Sequence, residues 1–336
     1  MEKLSPQAAR ALASRFRGAV LGAAIGDALA LPNQHYSRAF LSSLARPLAE
    51  GYALPPGTGR PRGQYGAKTQ VMLAAIASVV EAKGVARDSL LAHMIPLWRD
   101  NLLVERADNT TEAMLRALKG PGGLESAALE IGRADSEPFD RAVPAGLWDA
   151  GRPERIADDV RTAVRLTHAD PRVAACTAAA AAGVANNVRV SEFILGEFLD
   201  RTAEAAGAFD PALRDCILDF PRILCQTERR ALRMVASFSP DTRYPQTEDG
   251  LGEYCVPAVL SAFYWFLRHP FDFEKTVENC LRLGGQMAAT AFVAGALSGA
   301  LLGEDRLPEH LLEGLLGRKE IARQAQDLFQ AWSESS

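Results

Sequence analysis

With 336 residues, 48% of them hydrophobic and 23% charged, the chain has the length for one large core or two domains, and its composition excludes intrinsic disorder. A net charge of −4 supplies no basic field for nucleic acid. The apolar runs 174–185 and 288–302 are short and rich in Ala and Gly, so they read as buried helices rather than bilayer spans.

Helical periodicity dominates in chain order, and no run of alternating β-branched residues stands out. Helices are expected over 8–30, 70–85, 89–101, 111–118, 156–166, 171–184 and 191–205. Further ones are expected over 211–217, 227–238, 256–267, 272–283, 288–302, 308–316 and 319–333. Ser89, Thr111 and Asp272 are the expected N-caps. In the first helix, Gly18, Gly22 and Gly26 recur at i, i+4 spacing, which lets a neighbouring helix approach closely. Two Pro/Gly-rich stretches, 53–63 and 239–252, interrupt the helices and read as ordered loops bordering a cleft, not as domain linkers. The expectation is an all-α fold, one domain over 1–336, built as an orthogonal multi-helix assembly.

The start, Met1-Glu-Lys-Leu-Ser-Pro, is polar and gives no signal peptide. The five cysteines form no CxxC pair and are odd in number, which points to reduced thiols in a cytoplasmic protein. Cys255, just before an apolar helix, is weighed as a cleft thiol against a buried one.

Two tight loops feeding helices carry the functional signal. One is Gly63-Gln-Tyr-Gly66-Ala67-Lys68-Thr69-Gln70, the other Leu281-Arg-Leu-Gly284-Gly285-Gln286-Met287-Ala288-Ala289-Thr290-Ala291. Such loops suit the presentation of metal-binding carboxylates, yet their positions hold methyls, an amide, a thioether and an ammonium. Both read as the frame of an active site from which the acids have been removed.

These segments, with three others in matching order, resemble the ADP-ribosylglycohydrolase family, the dinitrogenase-reductase-activating glycohydrolase type. Gly18 to Leu29 is similar to the family's G-x-x-x-G-x-x-x-G-D-A-L, and Gly63 to Gln70 to its G-x-[YW]-T-D-D-T-Q. Arg141 to Gly146 is similar to M-R-x-x-P-x-G, and Thr167 to Pro171 to [ST]-H-x-D-P. Gly284 to Ala291 is similar to G-G-D-T-D-T-x-A, and the resemblance covers about residues 17–316.

The resemblance implies two Mg²⁺ ions held by acids and threonines of the second and last motifs. Carried over by position, those ligands become Gly66, Ala67 and Lys68, then Gln286, Ala288 and Ala289; a family glutamate becomes Gln34. Mg²⁺ binds through carboxylates and waters in an octahedron, so the cofactor expectation is that none is bound. Lys68 would place an ammonium where a dication otherwise sits.

Several residues are weighed singly. Asp27 is expected to fix a loop by hydrogen bonds, with catalysis as the second reading. Asp140 and His168 are the other catalytic candidates, His168 being weighed equally as structural support and ligand contact. Arg141 is read as a buried ion pair or a phosphate contact. Lys68 is assigned to pairing with an acid such as Asp27, to a ligand phosphate, or to solvent. Gln70 and Thr69 are expected to cap their helix. Gln34, Lys68, Thr69, Glu137, Arg141, Gly285 and Gln286 make up the expected ligand-binding set, with no metal ligand among them.

Two functional readings follow. In the first, the chain is a pseudoenzyme, a binding or regulatory module for an ADP-ribose-type ligand, an ADP-ribosylated protein or a protein partner. In the second, it is a metal-independent hydrolase or lyase acting on a glycosidic or related bond, with Asp27, Glu137, Asp140 or His168 as acid or base. Neither reading includes a nucleic acid or a membrane.

Overall fold

The glycines of the first motif meet a second glycine series across the core. Helix α1 (Pro6–Ala30) starts at Ser5, whose hydroxyl accepts from Ala8 N, with Pro6 in the first turn. Helix α14 (Ala288–Leu302) packs along it, and the carbonyls of Gly299, Gly295 and Ala291 lie where methyls at Gly18, Gly22 and Gly26 would project. The overlap is reciprocal, since a methyl on Gly295 or Gly299 would meet the Gly22 or Gly18 carbonyl. From Leu12 onward α1 is buried on most sides, as is α14, and their backbones touch where side chains would ordinarily hold helices apart.

The computed structural model describes residues 5–57, 59–104, 132–238, 240–244 and 250–335. Around the α1–α14 pair lie α2 (Arg38–Ser43), α3 (Ala67–Ala82), α4 (Arg87–Arg99), α5 (Ala142–Trp148), α6 (Ile156–Val164) and α7 (Pro171–Arg189). They are followed by α8 (Leu195–Gly207), α9 (Pro211–Leu218), α10 (Phe220–Leu224), α11 (Glu228–Ser237) and α12 (Cys255–Arg268). The series ends with α13 (Phe273–Leu281), α15 (Glu309–Gly314) and α16 (Arg318–Ser335). The all-α expectation holds, and the isolated pairings Asp135–Tyr254 and Leu251–Gly285 stand in place of strands among the described residues.

Most expected helices form within a few residues of their expected bounds; the one over 111–118, with its cap Thr111, lies outside the described residues. Helices α2, α5 and α10 were not legible from periodicity, being five to seven residues long and so at most two turns. Asp272 caps α13 as expected, accepting from Lys275 N at 3.0 Å. Ser89 does not cap α4; it lies inside the helix and exchanges a 2.8 Å hydrogen bond with Ser78 of α3. Both apolar runs are buried helices, and no helix among the described residues is long and apolar enough to cross a membrane.

Candidate functional site

Asp27 lies in the last turn of α1, buried, and its carboxylate reaches the start of α3. Oδ2 accepts from Gly66 N at 2.9 Å, Thr69 N at 3.0 Å and Thr69 Oγ1 at 2.7 Å. A helix N-terminus presents unpaired N–H groups and partial positive charge, and a carboxylate satisfies both. Asp27 therefore caps α3 from another helix. Thr69 serves as a donor to that cap, and Gln70 instead reaches Leu102 O and Val104 N, so neither caps α3 as expected. Gly66 follows from the same contact: a Cβ there would lie 2.9 Å from Asp27 Oδ1. Burial raises the Asp27 pKa, opposed by the Thr69 and Gly66 hydrogen bonds and the Lys68 charge.

Lys68, half-buried in the first turn of α3, donates from Nζ to Ser136 O at 3.1 Å. Its charge acts on both Asp27 and Asp140. Backbone pairing fixes the segment it touches. Ser136 N donates to Glu253 O and Cys255 N to Ala134 O, each at 2.9 Å. Behind this pairing Tyr244 stacks on Tyr254 at 5.3 Å, and Arg172 joins Tyr254 Oη to Asp170 and Asp241. Asp170 also caps α7, accepting from Arg172 N at 2.9 Å.

Asp140 and Arg141 end a short 3₁₀ turn and point inward. Arg141, 1% exposed, donates to Thr167 Oγ1 at 2.7 Å and Ala163 O at 3.2 Å, with Nε 3.4 Å from Asp140 Oδ1. This is the buried ion pair. The Asp140 carboxyl is pushed up to about 6 by burial, which Arg141 and Lys68 partly offset.

Thr167 passes the chain of hydrogen bonds onward. Its oxygen accepts from Arg141 and lies 2.8 Å from His168 Nδ1, while His168 Nε2 lies 3.0 Å from Asp135 Oδ1. With the Thr167 hydroxyl donating to Nδ1, the imidazole carries its proton on Nε2 and donates it to Asp135. Asp135 Oδ1 also accepts from Glu137 N at 3.0 Å. Asp135 is not in the expected set: it lies outside every motif, and pairing of the chain with Tyr254, not spacing in sequence, brings it to His168.

At the far end of the frame, Gly284 (φ 72°) and Gly285 (φ 66°) adopt left-handed backbone. His35 N donates to Gly285 O, Gly285 N to Tyr36 O, Leu251 N to Gly284 O and Gln286 N to Leu251 O. Gln286 is half-buried, its Nε2 3.4 Å from His35 Nδ1, and Gln34 is half-buried on the turn after α1. Ala67, Ala288 and Ala289 contribute only methyls to the ends of α3 and α14. Cys255 is fully buried against Cys176, whose thiol burial pushes to a higher pKa, so it does not face the cleft.

The expectation of no metal is overturned. Ligand atoms of Asp135, Glu137 and His168 lie within 4.8 Å of one another, with Asp135 and His168 buried and Glu137 half-buried. That expectation rested only on positions carried over from the family's pattern; the group that can hold a cation comes from the neighbouring 135–137 turn and the loop between α6 and α7.

A sequence profile described as ADP-ribosylglycohydrolase matches residues 8–336. An uncharacterised protein of Archaeoglobus fulgidus is 24% identical over 321 residues, covering 94% of this chain and 96% of its own length. A solved structure described as an ADP-ribosylglycohydrolase-related protein complex superposes with a TM-score of 0.74 at 21% identity, covering 96% of this chain and 99% of its own. At that identity the superposition establishes the fold.

Proposed function

The chain belongs to the ADP-ribosylglycohydrolase family, and from that premise we propose that it is a binding or regulatory member that holds an ADP-ribose-type ligand, free or attached to protein, without hydrolysing it. One observation carries this reading. The Lys68 ammonium is held at the mouth of α3 by the Ser136 carbonyl, at a position that the family resemblance gives to a metal-binding acid. An ammonium anchored through one hydrogen bond keeps two further donors. Those donors favour an anion such as a pyrophosphate. The carried-over positions Ala67, Ala288 and Ala289 offer no oxygen to orient a water at the glycosidic carbon.

Calorimetry with ADP-ribose on the wild type and Lys68→Ala, with ADP-ribosylated protein in a parallel release assay, tests this. Saturable binding that weakens tenfold or more in the variant, with no ADP-ribose released, is expected. Release of ADP-ribose at an enzymatic rate in the presence of divalent cations would replace the reading with a glycohydrolase. No heat with ADP-ribose would remove the ligand class.

A further inference from the structure

We propose that Asp135, Glu137 and His168 form a mononuclear site for a divalent first-row transition ion of the Mn²⁺ or Zn²⁺ class. The proposal does not rest on ADP-ribose binding, and it concerns residues other than those the family resemblance carries over as metal ligands.

The geometry supplies the first argument. Bonds of about 2.1 Å at tetrahedral or octahedral angles put neighbouring donor atoms about 3.0–3.4 Å apart. His168 Nε2 and Asp135 Oδ1 are already 3.0 Å apart. An ion bound to both atoms, lying to one side of the line joining them, takes the place of the hydrogen bond between them. The half-buried Glu137 side chain, with a carboxylate oxygen within 4.8 Å of both, is the third donor. Asp135 is held for the role by the Glu137 N–H on Oδ1.

The second argument is the outer partner of the imidazole. A metal-binding histidine needs an acceptor for its other N–H, which fixes ring orientation and tautomer. Thr167 Oγ1 lies 2.8 Å from His168 Nδ1 and is itself held by Arg141. In the ion-bound state Nδ1 carries the proton and donates it to Thr167 Oγ1, and Nε2 turns its lone pair to the ion.

Charge is the third. Asp135, Glu137 and Asp140 share one electrostatic neighbourhood with Arg141, and Lys68 acts on both Asp140 and Asp27. A dication bound here adds a counter-charge that the three carboxylates around Arg141 share. Asp140 adds an independent sign: 5% exposed, its Oδ1 accepts no hydrogen bond among the described residues and meets only Arg141 Nε at 3.4 Å. The donor set selects the ion. One imidazole with two carboxylates suits Zn²⁺ or Mn²⁺, whereas Mg²⁺ prefers oxygen alone.

The test uses the full chain stripped with a chelator and titrated with Mn²⁺ and Zn²⁺ by calorimetry, and with Co²⁺ by visible absorption. One saturable ion per chain is expected, with Mg²⁺ at least tenfold weaker. Glu137→Gln, a half-buried isosteric change that preserves the fold by circular dichroism, should weaken the ion tenfold or more. His168→Gln should abolish the Co²⁺ absorption bands. Lys68→Ala should leave the ion bound at least as tightly, because a like charge is removed, even as it weakens ADP-ribose; the two proposals therefore fail separately. No saturable Mn²⁺ or Zn²⁺ binding, or binding indifferent to Glu137→Gln and His168→Gln, overturns the site.

Discussion

Asp27 Oδ2 takes both the backbone N–H and the hydroxyl of Thr69, so a carboxylate at the end of α1 closes the start of α3, 42 positions away in sequence. The family-like Asp27 is thus a structural clasp between two helices. Asp27→Asn keeps the shape, loses the charge, and points an N–H₂ at donors if its amide oxygen is turned away. The expected cost is about 2 kcal/mol in urea unfolding, with Thr69→Ala in the Asn background adding little.

The glycine contact between α1 and α14 predicts a larger effect. Gly295→Ala places a methyl against the Gly22 carbonyl, a backbone atom that no rotamer can move. A loss of about 3 kcal/mol or more is expected. Gly22→Ala should do the same from the other side, both read as a lowered midpoint of thermal unfolding.

Arg141 has a buried charge on each side of its account. Arg141→Met deletes the guanidinium and leaves Asp140, 5% exposed, without its nearest counter-charge. Breaking such a pair from one side costs about 3–5 kcal/mol. Adding Asp140→Asn to Arg141→Met should recover part of that loss, which a double-mutant cycle in denaturant measures.

A pair of carboxyls, Asp149 and Asp159, lies elsewhere in the fold. Asp149 is fully buried, and its carboxyl is pushed up to about 8 by burial, then by the charge of the neighbouring Asp159. The folded state therefore holds a proton that the unfolded chain releases near pH 4. Stability from this group is complete below the unfolded pKa and is lost as pH rises toward 8, by up to about 1.4 kcal/mol per pH unit. Asp149→Asn should flatten that decline and raise the melting temperature at pH 8 more than at pH 4.

The framework was legible in the sequence because it is written in features that act locally: glycines at i, i+4, Asp-Pro at the start of α7, and long apolar periodicities. Asp27 as a loop-fixing residue was legible for a related reason, since it sits within a short motif; for Arg141 the motif left a buried ion pair and a phosphate contact equally open. Asp135 was not. It joins His168 across 33 positions through a two-residue backbone pairing with Glu253 to Cys255, and nothing in local spacing encodes that meeting. The cation expectation failed at the same point. The short helices α2 and α5 went unread because fewer than two full turns leave no period to detect.

The Gly284–Gly285 turn is stitched to His35, Tyr36 and Leu251 entirely through main-chain groups. Its shape therefore places no demand on what residues 286 and 288 carry. A socket secured in this way can exchange its contents without being rebuilt. That independence lets one scaffold drift between chemistries, and it marks the half-buried Gln286 and Ala288, rather than the core residue Ala289, as the positions where new ligand groups can be grafted with little penalty to folding.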